Sequence, residues 1–518
     1  MINIVKKALV LLYLVVVVVM AAATFAQRLY GVNFYDQWWF TALWALLTAV
    51  GTAWFIVRKM RRPSVVLLHL SFVVILLGAL LTHLFAQRGI IHLREGETTQ
   101  AYLTSDNRVH HLPFILRLDS FQIIYHPGTT AAADYESHLT IIDKEQTYNE
   151  IVSMNHICSR AGIRLYQNSY DADGHGSVLT MTCDPWGIAI TYTGYALLFI
   201  SLIWILIDPH GGYRRLLRSP VLKRGALSLM LLMTMGSQTM AAPTTAPQLT
   251  AERLYNAVPF ATILFMVCLT MGFLSFLIFL FRPRKNAFRV QAFVMLLSFL
   301  ALTLCLALRW IISGYIPMSN GYETMLVLAW FLQLFTLLLQ HRFRILLTFG
   351  FLLSGFFLLV SHISQMDPQI GTLMPVLRSP LLALHVSIIM IAFALLSLTF
   401  ISGITALIFH FTGRRSQIES LAILSRVFLY PALTTLGFGI FIGAIWANIS
   451  WGTYWSWDPK EVWALITFMV YAVVIHTQSL PVFQRPLAYH LYVTLAFLTL
   501  LMTYFGVNYF LGGLHSYA

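Results

Sequence analysis

The most distinctive chemistry in the sequence lies in one short loop, where WGTYWSW places three tryptophans and a tyrosine within the seven residues 451–457. An aromatic belt at a membrane interface is the alternative interpretation, but belt residues scatter over many helix ends. A crowded loop favours a π-rich platform for a planar ligand, which aromatic rings contact by offset stacking or by their edges. The following Asp458-Pro459 predicts a helix N-terminus, because Asp accepts backbone N–H bonds and Pro fits the first helical position.

Histidines within apolar segments form the second candidate site. A histidine inside a membrane is a functional candidate, although a single one is more often hydrogen-bonded across helices. His69 and His476 lie at similar depth, about 6–8 Å from one end of their segments, where two imidazoles could ligate one iron from opposite faces. His385 and His515 lie at the other end, on the side of the aromatic loop. The alternatives near segment ends are His83, His362, His410 and His490.

The composition places these residues in a membrane protein. The 518 residues are 58% hydrophobic and 10% charged, whereas about 25% of the residues of a soluble domain are charged. The net charge of +13 is also typical of nucleic-acid binding, but most Lys and Arg residues outside 87–187 lie in short clusters between apolar segments. This is the positive-inside pattern, so we predict contact with membrane lipid and none with nucleic acid.

A helix that crosses the hydrocarbon core needs about 20 apolar residues. The sequence therefore predicts an all-α polytopic membrane protein with about thirteen transmembrane helices, near 8–26, 38–57, 64–86, 188–208, 224–241, 258–281, 287–309, 323–340, 343–362, 381–410, 427–449, 463–480 and 487–509. With the N-terminus inside, this number places every basic cluster on the inner side of the membrane. The first segment is longer than the apolar part of a signal peptide, about 7–15 residues, so we predict that it is retained.

The predicted helices divide the chain into a first membrane half, a short polar linker on the outer side and a second membrane half: 1–241, 242–257 and 258–518. The second half contains the aromatic loop at 449–461. The polar segment 87–187 alternates polar and apolar residues, as in HLPFILRLDSFQIIYH, and predicts a small β-rich extracytoplasmic domain. The weakest predicted helix, 224–241, ends in MAAPTTAP, and cleavage near Ala241 would leave two associated chains.

The cysteines exclude two kinds of site. The four are Cys158, Cys183, Cys268 and Cys305. Without CxxC, no cysteine-based zinc or redox motif is predicted, and without CxxCH the chain is not itself a c-type cytochrome. Cys158 and Cys183 share the polar segment and either form a disulfide in an oxidising compartment or remain thiols.

The aromatic loop and several other segments resemble a known family. WGTYWSWDPKEVWALITF is similar to the WGxxWxWD (WWD) motif of haem-handling proteins. LLALHVSIIMIAFALL, YAVVIHTQ and GVNYFLGGLHSYA extend the resemblance to CcsA, the synthase half of System II cytochrome c biogenesis. LLHLSFVVILLGALLTH and IHLREGETT resemble the CcsB (ResB-type) partner. The resemblance covers nearly the whole chain, in the fused CcsB–CcsA order.

The resemblance implies the residues of the site. His385 and His515 would ligate the iron of haem b at an outer site, and His69 and His476 would ligate it within the membrane. The loop residues that would bind the haem are Trp451, Gly452, Trp455, Trp457 and Asp458.

The resemblance also implies a function. Haem would cross a bacterial inner membrane and be attached at the periplasmic face, through thioether bonds, to the CxxCH motif of apocytochrome c, which is cytochrome c synthase (holocytochrome c haem-lyase) activity. A thioredoxin-like thiol reductant would keep the acceptor cysteines reduced. Two alternatives remain, a b-type dihaem electron-transfer protein of the membrane and a haem exporter or chaperone without ligase activity.

Overall fold

The computed structural model describes residues 2–219, 246–281, 285–362 and 366–513. It is mostly helical and has one β-rich domain. The helices are α1 (Ile2–Tyr30), α2 (Trp38–Val57), α3 (Pro63–Phe85), α4 (Gly187–Ile207), α5 (Gly212–Leu217), α6 (Ala246–Ala257), α7 (Phe260–Phe281), α8 (Lys285–Ser313), α9 (Gly321–Leu339), α10 (Ile345–Val360), α11 (Pro380–Phe411), α12 (Arg415–Ser450), α13 (Pro459–Val473) and α14 (Pro486–Leu501). A π-helix, Met502–Leu511, continues α14.

The predicted number of thirteen transmembrane helices is not confirmed. Within the described ranges, ten helical segments are long and apolar enough to cross a membrane. The helices predicted near 343–362 and 463–480 correspond to α10 and α13, which have only 16 and 15 residues. Apolar residues continue beyond Val473, but the backbone turns there, which hydropathy alone does not reveal. The helix predicted at 224–241 and the cleavage site near Ala241 lie outside the described residues.

The part of the predicted linker that is described, residues 246–257, is helical and forms α6. It packs beside α8, whose Arg309 forms an ion pair of 2.9 Å with Glu323 of α9, both side chains being almost fully buried. Arg309 also donates a hydrogen bond of 2.7 Å to the hydroxyl of Tyr255 in α6. A buried ion pair is stable only with such additional hydrogen bonds, so α6 helps to hold the second membrane half together.

The predicted β-rich domain is confirmed as one eight-stranded antiparallel sheet in the order β5-β4-β3-β2-β1-β8-β7-β6. The strands are β1 (Gln87–Arg94), β2 (Thr98–Leu103), β3 (Val109–Tyr125), β4 (Ala132–Asp143), β5 (Gln146–Val152), β6 (Cys158–Arg160), β7 (Ile163–Tyr170) and β8 (Gly176–Cys183). Along β3 the alternate residues Leu112, Phe114, Leu116 and Leu118 are buried, because successive side chains of a strand point to opposite faces.

The β-rich domain lies at one end of the helical bundle. β1 follows α3 directly, β8 precedes α4, and these strands pair with Gln87 opposite Cys183. We call this end of the bundle the domain end. The residues between α2 and α3, 58–62, must then lie at the opposite end, because α3 has 23 residues and rises about 1.5 Å per residue.

Helices of the two membrane halves pack against one another. Val16 and Met20 of α1 share a buried cluster with Val462 and Ile466 of α13 and with Val507 of the π-helix. This contact places the first two helices beside the aromatic loop that precedes α13.

Candidate functional site

His69 and His476 meet near the end of the bundle opposite the β-rich domain. His69 lies in the second turn of α3, His476 follows the end of α13, and their ring centres are 6.3 Å apart with ring planes at 87°. Each Nδ1 donates a hydrogen bond of 2.8 Å to the carbonyl oxygen four residues earlier, of Val65 and of Ala472. This leaves Nε2 to coordinate a metal. With metal–nitrogen bonds of about 2 Å, two imidazoles on opposite faces of one metal have ring centres about 6 Å apart.

One large cavity connects this histidine pair to the aromatic loop. Its volume is about 1990 Å³, and it is lined by both histidines and by Tyr454, Trp455 and Trp457. The wall between the pair and the loop is apolar and includes Phe72 and Phe468. The cavity is thus continuous between the pair and the loop, and it is partly open to its surroundings.

Trp457 faces the first membrane half. Its ring stacks on Tyr35 with centres 5.0 Å apart and planes at 1°, and the ring of Phe40 lies edge-on at 5.0 Å. The φ angle of Trp457 is +58°, a left-handed conformation that costs a residue with a side chain about 1–2 kcal/mol. The aromatic contacts stabilise this conformation and fix the ring at the cavity.

The three tryptophans of the loop do not form one platform. Trp455 lies 5.8 Å from Trp457 and lines both the large cavity and a second cavity of about 220 Å³. The buried indole N–H of Trp455 has no hydrogen-bond partner among the described residues. Trp451 instead packs edge-on against Trp446 at 4.8 Å, in a separate buried cluster. Two of the three rings therefore face the cavities, and the third anchors the loop.

Gly452 and Tyr454 attach the aromatic loop to the first half of the chain. Gly452 has φ +79°, and a Cβ there would lie 2.9 Å from the ring of Tyr166 in the β-rich domain. The hydroxyl of Tyr454 donates a hydrogen bond of 2.8 Å to the hydroxyl of Thr82 in α3. Burial raises the pKa of Tyr454, so its hydroxyl stays protonated and remains a donor.

Asp458 caps α13, which confirms the prediction for Asp458-Pro459. Its carboxylate accepts a hydrogen bond of 3.1 Å from the N–H of Lys460. The carboxylate of Glu461 reaches back to the N–H of Asp458 at 3.2 Å and of Ser456 at 2.9 Å. This capping box, worth about 1 kcal/mol, fixes where the loop ends and α13 begins.

His385 lies in the second turn of α11 and lines the second cavity together with Trp455. Its Nδ1 donates a hydrogen bond of 2.7 Å to the carbonyl oxygen of Gly439 in α12. One turn later, a Cβ on Gly443 would lie 2.5 Å from Cε1 of the ring, so only glycine leaves room for the imidazole. Asn508, whose Oδ1 has no hydrogen-bond partner in the described part of the chain, lines the same cavity.

His515 lies outside the described residues, but the chain that leads to it reaches the aromatic loop. A Cβ on Gly513 would lie 2.4 Å from Oδ1 of Asp458. The last described residues therefore pass directly over the cap of α13.

The four alternative histidines differ in whether they line one of the two cavities. His83 lines the large cavity near Tyr454. The other three do not line either cavity: His362 bonds the hydroxyl of Thr262, His490 bonds the carbonyl of Ile418, and His410 contacts Phe411. Hydrogen bonding between helices thus accounts for His362 and His490.

Several residues of the cavity are missed by reasoning from the sequence. Tyr35, Phe40 and Trp44 surround Trp457 and line the cavity, and the aromatic stretch YDQWWFTALW was a usable signal for them. Arg88 and His110 of the β-rich domain line the cavity at the domain end. No local pattern marks these two, because the sheet brings them there.

The four cysteines are free thiols. Cys158 is only 2% exposed, and burial raises the pKa of its thiol to about 11. Burial likewise raises the pKa of Cys183. A reactive redox pair has a lowered thiol pKa, so these two cysteines have the character of structural residues.

Comparisons with known proteins match both halves of the chain. Residues 318–515 match the family of cytochrome C assembly proteins, and residues 58–192 match the ResB-like family. Protein NrfI of Wolinella succinogenes is 24% identical, over 98% of this chain and 94% of that protein. The cytochrome c biogenesis protein CcsA of Guillardia theta is 33% identical, over 46% of this chain and 88% of its own length. CcsA of Chlamydomonas reinhardtii is 36% identical, over 44% of this chain and 68% of its own length.

These matches confirm the resemblance of both halves. The ResB-like match includes His69, and the cytochrome C assembly match includes the aromatic loop with His385, His476 and His515. The chain belongs to the CcsA family of cytochrome c biogenesis proteins, in the fused form of System II in which a ResB-type (CcsB) half precedes the CcsA half.

Proposed function

We propose that the chain carries haem b, its substrate, through a bacterial inner membrane and attaches it to the CxxCH motif of apocytochrome c at the periplasmic face. The observation that carries this proposal is the continuous cavity from His69 and His476 to Trp455 and Trp457. Haem is flat and largely apolar, and apolar walls with histidine at one end and stacked aromatic rings at the other suit its chemistry.

The inner site is formed by the two facing imidazoles. Within the described ranges, no group of three or more His, Cys, Asp or Glu side chains could hold a metal ion. A pair of imidazoles suffices for haem, because the porphyrin supplies the remaining ligands of the iron. His69 and His476 hold the iron, and the carbonyl bonds at Nδ1 keep their rings oriented.

At the outer site, His385 binds the iron with His515 as the second ligand. The histidine of CxxCH displaces one of them and brings two cysteine thiols beside the vinyl groups. Each thiol adds across a vinyl double bond: the sulfur bonds one carbon, and the thiol hydrogen ends on the other. Alignment of the two reactants lowers such a barrier by roughly 7–11 kcal/mol at best.

The acceptor thiols must be reduced in an oxidising compartment. Cys158 does not supply this reduction, because its pKa of about 11 keeps it protonated. We therefore include a thioredoxin-like thiol reductant as the partner that prepares apocytochrome c.

Co-expression with a CxxCH reporter protein tests the function. We expect covalent haem on the reporter with the intact chain, and its loss in His69→Ala and His476→Ala. The matched control is His410→Ala, an exposed histidine that lines neither cavity, and it should leave reporter haem unchanged.

The same experiment separates the two alternatives. A reporter without covalent haem, under a confirmed haem supply, would contradict ligation. In that case a bis-histidine spectrum that responds to a quinol would indicate electron transfer, and haem released at the outer face would indicate export.

A further inference from the structure

Five basic side chains line the end of the large cavity that lies nearest to His69. We call this set the basic mouth, and it consists of Arg58, Lys59, Arg61, Arg62 and Arg215. Asp208 is the acidic residue among the lining residues at this end, and its carboxylate accepts a hydrogen bond of 3.0 Å from the hydroxyl of Ser64. The other acidic residues that line the cavity, Asp36 and Asp106, lie at the domain end. The basic mouth therefore carries a large excess of positive charge.

The basic mouth lies at a defined distance from the histidine pair. Arg62 is the N-cap residue of α3, and His69 follows seven residues later. Seven residues are almost two helical turns, a rise of about 10 Å along the axis, and both side chains line the cavity. In haem, the propionate carboxylates lie at one edge of the ring, at a distance from the iron comparable to this rise.

Membrane topology alone does not explain these charges at the cavity. Other basic residues at loops between helices, such as Arg344 and Arg414, do not line it. Arg344 lies over the ring of Phe288 at 4.9 Å, and Arg414 donates a hydrogen bond of 2.7 Å to the carbonyl of Leu280. Their side chains pack against the bundle away from the cavity. Arg58 also lies over a ring, that of Trp54 at 5.1 Å, but it borders the cavity together with the other four residues of the basic mouth.

Polarity thus changes along the cavity. The basic mouth gives way to apolar walls at Leu68 and Phe72 and then to the rings of Trp455 and Trp457. A guanidinium binds a carboxylate with paired, charge-assisted hydrogen bonds. An amphiphile with carboxylates at one edge and an apolar opposite edge has the same change of polarity.

We propose that the basic mouth binds the two propionates of haem, so that haem held by His69 and His476 points its vinyl edge toward the aromatic loop. This inference rests on the proposed function and adds the site and the orientation of the substrate. The vinyl groups, which react with the thiols, then lead as haem moves toward the outer site.

Absorbance titration of the purified full chain with two porphyrins tests this orientation. Haem carries two carboxylates, and haem dimethyl ester carries none. In Arg61→Gln/Arg62→Gln we expect the affinity for haem to fall by about tenfold or more, because charge-assisted hydrogen bonds are lost. The affinity for the ester should stay the same, and its bis-histidine spectrum reports that the variant is folded.

The matched control is Arg415→Gln/Arg485→Gln, which removes two exposed basic residues that do not line the cavity. It should bind both porphyrins as the intact chain does. Unchanged haem affinity in Arg61→Gln/Arg62→Gln, or equal loss of both porphyrins, overturns the proposal. Failure of the proposed function gives a different result, since haem binding by the intact chain would then not depend on His69.

Discussion

At the residue scale, three of the histidines that line the cavities share one arrangement. In His69, His476 and His385, Nδ1 donates to a backbone carbonyl oxygen, from the same segment in the first two and from α12 in the third. A ring held in this way cannot rotate freely about its side chain, and its tautomer is fixed. In the proposed sites, iron would meet an oriented lone pair on Nε2.

The position of His385 depends on a glycine, which gives a sharp prediction. In Gly443→Ala, the new Cβ would lie 2.5 Å from the imidazole, so the ring must move, at a cost of about 1–3 kcal/mol in the free energy of unfolding. We expect covalent haem on the reporter to fall strongly, while the bis-histidine spectrum of the inner pair persists. Absorption spectra and reporter haem measure the two effects.

Gly51→Ala is the control for this change. The atom nearest to its new Cβ belongs to a side chain of another helix and lies at 3.9 Å, an ordinary van der Waals distance, so nothing has to move. It should retain reporter haem. Normal ligation by Gly443→Ala would show that the position of His385 does not matter.

The buried thiol of Cys158 predicts a pH dependence. Its pKa of about 11 leaves roughly one thiolate in ten thousand at pH 7. Alkylation by iodoacetamide should therefore be slow at pH 7 and accelerate about tenfold per pH unit up to about pH 11, because the thiolate is the reactive form. Mass spectrometry of the labelled folded protein measures this rate.

A cysteine introduced at the exposed turn residue Asn107 should instead react with an ordinary pKa near 8.5. Fast labelling of Cys158 at neutral pH would contradict a raised thiol pKa and would favour a redox role for this residue.

Sequence reasoning says more about where the histidines lie than about where the tryptophans lie, for physical reasons. The regular rise of a helix allows the depth of a residue to be estimated, so similar depth suggests His69 and His476 as one possible pair. Their ring centres are 6.3 Å apart, and their role as ligands stays a prediction. The loop has no such period. The left-handed φ of Trp457 and the contact of Trp451 with Trp446 depend on distant packing, so the sequence does not show which of the three rings line the cavities.

At the element scale, the β-rich domain holds the outer loop that precedes α11. Asn155 donates a hydrogen bond of 3.1 Å to the carbonyl of Pro375, and its Oδ1 accepts one of 2.8 Å from Ser450 at the end of α12. His126 adds a hydrogen bond of 3.0 Å to the carbonyl of Leu373. The domain thus contacts both the segment that precedes α11, the helix of His385, and the end of α12, which precedes the aromatic loop.

We expect Asn155→Ala to loosen this junction. The lost hydrogen bonds leave buried groups without partners, which costs about 1–3 kcal/mol. Reporter haem should decrease while haem at the inner pair is unchanged, and limited proteolysis should cut the domain faster.

Asn107→Gly is the matched control, since Asn107 lies in an exposed turn with φ +59° that glycine adopts readily. Equal protease resistance of Asn155→Ala and the intact chain would contradict a clamping role.

Elements differ in how far the sequence predicts them. The alternation in β3 is enough to place a strand, and most long apolar helices appear where hydropathy puts them. The π-helix Met502–Leu511 has no such signal. Its widened turns carry Tyr504 and Asn508 to the second cavity, and π-helical segments are frequent at functional sites.

At the scale of the whole molecule, the large cavity lies between the two halves of the chain. His69 comes from the first half and His476 from the second, and Trp457 stacks on Tyr35 across the same boundary. Neither half alone encloses the cavity, which explains why reasoning about each segment by itself did not reveal it.

The orientation of the molecule can be tested directly. We expect Asn107→Cys, in the β-rich domain, to react with a membrane-impermeant maleimide in intact cells with a permeable outer layer. Arg415→Cys, at the start of α12, should react only after lysis, because the positive-inside rule predicts that its basic cluster faces the cytoplasm. Both cysteines are introduced into a chain whose native cysteines are replaced by serine. The reverse labelling pattern would contradict the predicted orientation.

The size of the large cavity has a consequence for how the protein works in a bilayer. Its volume of about 1990 Å³ is about twice the upper range for a pocket that encloses one drug-sized ligand. One porphyrin leaves much of this space unclaimed, and close packing forbids a void of that extent. Acyl chains of neighbouring lipids could fill it, and under the proposed function each passage of substrate would then exchange porphyrin for lipid, at a rate that depends on the fluidity of the surrounding bilayer.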